Sequence, residues 1–204
     1  MTSSAGPAYY YRFAQLYEFH FSVPPFSAWA DNNHASVLHA LPAGLQGRIL
    51  DVGGGIGRLS RVLAERFPES EVLSIDSSAA MTARAQEAGP MGNLRFETRS
   101  FWDVTGQYDL IVCAGCWEFF QLGPSVAHLV RLLAPGGVAV LNTLGPSAFG
   151  RVRETVFRHA WRTHLWLHPP DVLAHRLSLH GTDVTWGPVN RWEGSYTLVA
   201  RRQD

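Results

Sequence analysis

The sequence predicts an α/β fold in which a mostly parallel sheet is closed by an antiparallel pair of strands. Short apolar runs alternate with amphipathic stretches from Ile49 onward, as they do in a chain of βαβ units. A glycine cluster at residues 53–57 stands where the first run gives way to the first amphipathic stretch, a place where a ligand can lie against the main chain. The runs at 182–188 and 195–201 alternate well enough to form the closing pair.

In chain order, residues 1–45 come first and are dense in aromatics: Tyr9, Tyr10, Tyr11, Phe13, Tyr17, Phe19, Phe21, Phe26 and Trp29. Pro24-Pro25 break this stretch, so it reads as helical pieces packed over the sheet edge or mouth. Tyr11, Ala14 and Tyr17 fall on one helical face and predict an N-terminal helical lid. Strands are expected at 48–52, 71–75, 94–98, 108–114 and 138–143, all rich in Val, Ile, Leu or Phe. Between the first two, Leu59, Val62, Leu63 and Phe67 recur at spacings of three and four, a helix that Pro68 ends. Asp76-Ser77-Ser78 supply capping side chains for a second helix, which carries Met81 and Ala85 and stops near Gly89-Pro90. Val126, Leu129, Val130 and Leu133 make a third stripe, and Ala134-Pro135-Gly136-Gly137 turn it into the fifth strand. No repeat, low-complexity tract or long linker divides the chain. It reads as one domain over 1–204, with a cap over 1–45, a core over 46–144, and further helices and the closing strands over 145–204.

Composition narrows the chemistry. A chain of 204 residues, 46% hydrophobic and 17% charged, is long enough to bury one sizeable core without metal or disulfide staples. Seventeen basic residues balance seventeen acidic ones, which argues against a nucleic-acid or anionic-membrane partner. All seventeen basic residues are arginine, which excludes a lysine Schiff base, a P-loop lysine and a lysine general base. Two cysteines cannot build a disulfide framework, and the start of the chain has neither a basic nor an apolar leader segment. A cytoplasmic location is the expectation.

The glycine loop is preceded by Asp51, and the second strand ends on Asp76. A dinucleotide fold wants its third glycine three residues after the second. Counted from Gly53 and Gly55 that position is Arg58, and counted from Gly55 and Gly57 it is Ser60, so neither register fits. The Asp51 carboxylate would also repel a pyrophosphate, whereas it would attract an ammonium group. Asp76 is well placed to accept two hydrogen bonds from a ribose diol.

An acidic residue, a G-x-G-x-G loop and a second acid at the next strand end together resemble the class I S-adenosylmethionine-dependent methyltransferase superfamily, small-molecule type. The resemblance covers about residues 10–201. It rests on Ile49-Leu50-Asp51-Val52-Gly53-Gly54-Gly55-Ile56-Gly57, Val72-Leu73-Ser74-Ile75-Asp76-Ser77-Ser78-Ala79-Ala80-Met81, Tyr108-Asp109-Leu110-Ile111-Val112 and Leu132-Leu133-Ala134-Pro135-Gly136-Gly137. It implies a Rossmann-like seven-stranded sheet with helices on both faces and the last strand antiparallel. S-adenosyl-L-methionine would lie across the carboxyl ends of the first, second and fourth strands. On that pattern Asp51 faces the methionine ammonium, Gly53 and Gly55 lie against the cofactor, Asp76 holds the ribose, neighbouring Ser77 counts among the cofactor-binding positions, and Met81 packs on the adenine. Ala114, ending the fourth strand, counts among the cofactor-facing positions. Where the family usually has an acid after the third strand this chain has Ser100, which leaves the adenine contact to Ser100, to Asp103 or to stacking by Phe101. Tyr11-Arg12-Phe13-Ala14-Gln15-Leu16-Tyr17 is similar to the tyrosine, alanine, tyrosine pattern that small-molecule members place over the cofactor.

The implied activity is methyl transfer to a small-molecule acceptor, anionic or aromatic. Displacement at a sulfonium needs alignment and exclusion of water more than a strong catalytic group. Where a base is needed, the candidates are His20, Glu118, His164 and His168. Trp117 and Phe120 wall the acceptor pocket or belong to the core. Arg151 and Arg162 bind an anionic acceptor, or else their stretch, with Arg153, Arg158 and the histidines from His159 to His180, is a solvated helix face. Cys113 and Cys116 lack the further ligands zinc requires and read as buried or pocket-lining thiols, so no metal is expected. The segment Ala114-Gly115-Cys116-Trp117-Glu118 lacks the Asn/Asp-Pro-Pro-aromatic motif of amino-group methylation, which also favours a small acceptor. The rivals are a protein of the same fold that binds the cofactor without transfer, a nicotinamide oxidoreductase, disfavoured by Arg58, and an RNA methyltransferase, which would need a wider basic face.

Overall fold

The strands are β1 (Arg48–Val52), β2 (Glu71–Asp76), β3 (Leu94–Thr98), β4 (Tyr108–Ala114), β5 (Leu133–Leu144), β6 (Thr182–Trp186) and β7 (Ser195–Arg202). The computed structural model describes residues 26–160 and 162–204, with side chains from residue 31 onward. The seven strands form one sheet in the order β3-β2-β1-β4-β5-β7-β6. Every pairing from β3 through β5 is parallel, and β7 runs antiparallel to both β5 and β6. The chain order reverses between β1 and β4, and ligands of open α/β sheets bind outside the strands' carboxyl ends at such a switch point.

The helices are α1 (Phe26–Ala40), α2 (Arg58–Arg66), α3 (Ala79–Glu87), α4 (Leu122–Leu132), α5 (Ala148–Ala160) and α6 (Pro170–Ser178). Alternation along the central strands feeds two cores, because successive side chains point to opposite faces of a sheet. Leu50 and Ile111 join Leu129, Leu173 and Leu177 under α4 and α6. Their neighbours Ile49 and Leu110 join Leu59, Leu63 and Val37 under α2 and α1. This double burial explains why β4 reads as a nearly continuous apolar run. Burying each such leucine or isoleucine contributes about 1.5–3 kcal/mol.

Two expectations change. The aromatic N-terminal stretch was expected over the sheet edge or mouth, but its described part, α1, packs against β4, β5 and β7 on a face of the sheet. The buried Val37 and Leu41 cover there an apolar surface that α2 alone does not. The fifth strand begins at Leu133 rather than at 138. Tyr108 pairs with Leu133 and Leu110 with Val138, so the Ala134–Gly137 turn is looped out of the ladder as an irregularity within the strand, with Gly136 at φ +68°. The lid residues Tyr11 and Tyr17, and with them His20, lie outside the described residues. Among the described residues no helix is long and apolar enough to cross a membrane.

Candidate functional site

The loop between β1 and α2 is shaped by glycine. Gly53, Gly55 and Gly57 have φ of +70°, +56° and +81°, the left-handed region that other residues rarely adopt. The amides of Gly53 and Gly54 both donate to the Ile75 carbonyl at 2.9 and 3.0 Å, tying the loop to β2. A Cβ on Gly53 would lie 2.5 Å from Cys116 Sγ, and one on Gly57 would lie 2.7 Å from the Phe96 ring.

Asp76 closes the loop from the side. Its Oδ2 accepts from the Gly55 amide at 3.0 Å and its Oδ1 from the Ser78 amide at 2.8 Å. Burial raises its pKa, and these two bonds oppose the rise. Ser78, not Ser77, caps α3, accepting from the Met81 amide at 3.3 Å, while Ser77 is exposed. Met81 is buried at the start of α3. Asp51 stands behind the loop. It is 1% exposed, and its Oδ2 accepts from the Ser60 hydroxyl at 2.6 Å, with Ser74 Oγ 2.9 Å beyond. Burial pushes its carboxyl up to about 6, against the Ser60 hydrogen bond. The residue expected to face an ammonium is thus held inward by a hydroxyl pair.

Ser100 caps the short 3-10 turn Phe101–Asp103, accepting from the Trp102 amide at 3.3 Å, and Asp103 is exposed. Phe101 is packed inside an aromatic cluster. It is 4% exposed, with its ring 4.7 Å from His128, 5.0 Å from Phe120, 5.3 Å from Trp102 and 6.0 Å from Trp117. Trp117 is likewise core and not a pocket wall, with no exposed surface. The segments after β3 and β4 pack their aromatics on one another, a contact between distant parts of the chain that local pattern does not contain. Phe120 and Ala114 are half-buried.

Cys113 is buried at the end of β4, and its Sγ lies 2.7 Å from that of the half-buried Cys116. Cys116 Sγ also reaches the Val52 carbonyl at 3.0 Å, so this thiol packs against the foot of the glycine loop. Among the described residues no three His, Cys, Asp or Glu side chains converge.

The three described candidate bases, Glu118, His164 and His168, each have separate partners. Glu118 is fully buried, and burial raises its pKa while Arg153 opposes the rise. Its Oε2 is 3.5 Å from Thr143 Oγ1 and its Oε1 is 4.0 Å from Arg153 Nη2. His168 is buried with Nε2 on the Phe120 carbonyl at 3.2 Å, and burial pulls its pKa down to about 4. A neutral histidine that donates from Nε2 is a poor proton acceptor there. His164 sits on the Glu154 carboxylate at 3.9 Å and edge-on to Trp166. Arg151 and Arg162 are exposed, Arg162 at φ +52°, and the arginine turned inward is Arg153. Sequence reasoning also missed Ser60 and Ser74. The helical phase of Gly150, Arg153 and Phe157 was a usable signal for the arginine, but the exposed Val152 and Val156 obscured it.

Residues 26–185 match the family described as methyltransferase domain. The trans-aconitate 2-methyltransferase of Deinococcus radiodurans is 38% identical over 96 residues, which is 47% of this chain and 37% of that protein. The trans-aconitate 2-methyltransferase of Acidovorax sp. is 31% identical over 173 residues, covering 81% of this chain and 65% of that protein. The chain therefore spans between about a third and two thirds of the length of these relatives. A solved complex of DhpI with SAH superposes with a TM-score of 0.73 at 21% identity, covering 98% of this chain and 96% of that one, a likeness of fold. The match of the family over most of the chain agrees with the β1–loop–α2 unit and the reversed seven-stranded order, and the chain belongs to the methyltransferase-domain family.

Proposed function

We propose that this protein transfers a methyl group from S-adenosyl-L-methionine to a carboxylate of a small-molecule acid. The observation that carries the cofactor half is Asp76, a half-buried carboxylate locked to the second glycine of the loop by the Gly55 amide at 3.0 Å. An ionised carboxylate only accepts hydrogen bonds, and a ribose diol offers two donors. Asp76 makes no ion pair among the described residues, and its two oxygens accept from the Gly55 and Ser78 amides. When bound, S-adenosylmethionine supplies a methyl group on a sulfonium sulfur, and its transfer leaves a neutral thioether.

The remaining work falls to this chain's residues. Gly53 and Gly55 let the ligand approach the main chain, and Ser60, Asp51 and Ser74 brace the loop from behind. The acid half draws support from the two relatives, whose names give trans-aconitate as the acceptor. A carboxylate is already ionised at neutral pH and needs no base. This accords with a site in which Glu118 and His168 are buried and His168 is held neutral. Incubation with S-adenosylmethionine and trans-aconitate, followed by mass spectrometry, tests the reading. Formation of S-adenosylhomocysteine together with a methyl ester is expected. Cofactor binding with no product from trans-aconitate or a panel of other small acids would replace it with a binding role.

A further inference from the structure

Helix α5 carries arginines at 151, 153 and 158, and among the described residues only Arg153 is brought to a buried partner. Residues two apart on a helix point about 200° from one another. Arg151 therefore faces solvent while Arg153, 19% exposed, turns toward Glu118. Glu118 has no exposed surface, and its Oε1 has no hydrogen bond among the described residues. The gap of 4.0 Å between Oε1 and Arg153 Nη2 exceeds a hydrogen bond, and the other oxygen is 3.5 Å from Thr143 Oγ1. A buried ion pair repays its desolvation only with close, forked geometry. This pair lacks that geometry, and Glu118 Oε1 is left a buried carboxylate oxygen without a hydrogen bond among the described residues.

Its position is informative. Glu118 follows the carboxyl end of β4, and Thr143 lies near the carboxyl end of β5. Two residues before Glu118, Cys116 touches the glycine loop through the Val52 carbonyl. The pair thus stands on the acceptor side of the proposed cofactor site, above the carboxyl ends of the strands. The Arg153 guanidinium lies 5.7 Å over the Phe157 ring, which limits its orientation; its Nη1 is buried, while the side chain as a whole is 19% exposed.

We propose that Arg153 receives a carboxylate of the acceptor, and that Glu118 is a buried counter-ion beside it that competes with the acceptor on binding. This rests on the reading of the protein as a methyltransferase of small acids. A carboxylate arriving at Arg153 meets a cation whose field Glu118 partly cancels. Acids with several negative charges overcome that competition, and a neutral ester gains nothing from the site.

The two charges make opposite predictions, which separates recognition from structure. With trans-aconitate as substrate, Arg153→Gln is expected to raise KM by at least about tenfold, with kcat changed far less. Affinity for S-adenosylhomocysteine should be unaltered, which also reports that the variant is folded. Arg153→Lys keeps the charge without the fork and should fall between. Glu118→Gln removes the competing anion and should lower KM. Arg158→Gln, on the same helix, serves as the control. An unchanged KM in Arg153→Gln, a rise in Arg151→Gln instead, or a rise in KM for Glu118→Gln would overturn the proposal, the last by making the pair purely structural. If the wild type transfers no methyl group to trans-aconitate, calorimetry on the S-adenosylhomocysteine-saturated protein decides separately. Binding of trans-aconitate or citrate that Arg153→Gln abolishes, with no binding of the trimethyl esters, supports the site. Failure of the wild type to bind either acid overturns it.

Discussion

Asp76 and Asp51 are two strand-end carboxylates with different work, and burial separates them. Asp76 is half-buried and holds the loop through Gly55 and α3 through Ser78. Asp76→Ala removes a charged acceptor whose hydrogen bonds are worth about 1.5–3 kcal/mol each. Loss of one such bond to the ribose should raise the dissociation constant for S-adenosylhomocysteine roughly tenfold to a hundredfold, read by calorimetry. Asp51 answers to pH. In the unfolded chain it titrates near 3.8, whereas burial pushes it to about 6 in the folded protein. Between those values the folded state keeps a proton that the unfolded state has released. Its contribution therefore falls as pH rises from about 4 to about 6, by about 3 kcal/mol, and stays low above that. Asp51→Asn removes that slope while keeping an acceptor for Ser60. Urea midpoints across this range should show the variant gaining on the wild type as pH rises, and parallel curves would place the titration elsewhere.

Close approach between elements explains why glycine recurs from β1 into α2. Gly57 begins α2 in the left-handed conformation, with room for nothing larger against Phe96 and Ala85. Gly57→Ala combines an unfavourable φ with overpacking, so a loss of about 1–3 kcal/mol in chemical denaturation is expected. Gly53→Ala strikes Cys116 instead, beside the face of the loop proposed to hold the ligand. It should weaken S-adenosylhomocysteine binding more than it weakens folding, and the reverse order would assign Gly53 to packing alone. On α5 the equivalent lesson is phase. Two valines that an amphipathic reading would bury, Val152 and Val156, are exposed, and an arginine is turned in. A buried carboxylate on another loop outweighs the apolar pattern of the helix itself.

The whole molecule supplies the ligand's linkage to folding. The proposed cofactor site draws on the loop after β1, the end of β2 and the segment after β4, elements that meet only in the folded sheet. A ligand binding only that state at about 100 times its dissociation constant adds about 2.7 kcal/mol. For a domain of this size that is roughly 5–10 °C in melting temperature. S-adenosylhomocysteine should produce such a shift in a thermal-shift assay and NAD should not. A shift with NAD alone would contradict the register argument at Arg58 and Ser60.

The strands, the glycine loop and the acid closing β2 were legible because their signals are local. Alternating apolar residues, left-handed turns and capping side chains are set within a few residues of one another, and β1, β3 and β4 begin and end where their apolar runs do. Position along the chain likewise put Asp76 beside the loop. Tertiary structure decided what those side chains meet. It sent Phe101 and Trp117 into one aromatic core, turned Asp51 back onto Ser60, laid α1 across β4, β5 and β7, and chose Arg153 over Arg151 for Glu118. Periodicity states which residues of an element share a face. Which face meets which partner depends on contacts between residues far apart in the chain, such as Glu118 with Arg153, and only closure of the fold brings those groups within reach of each other's charge.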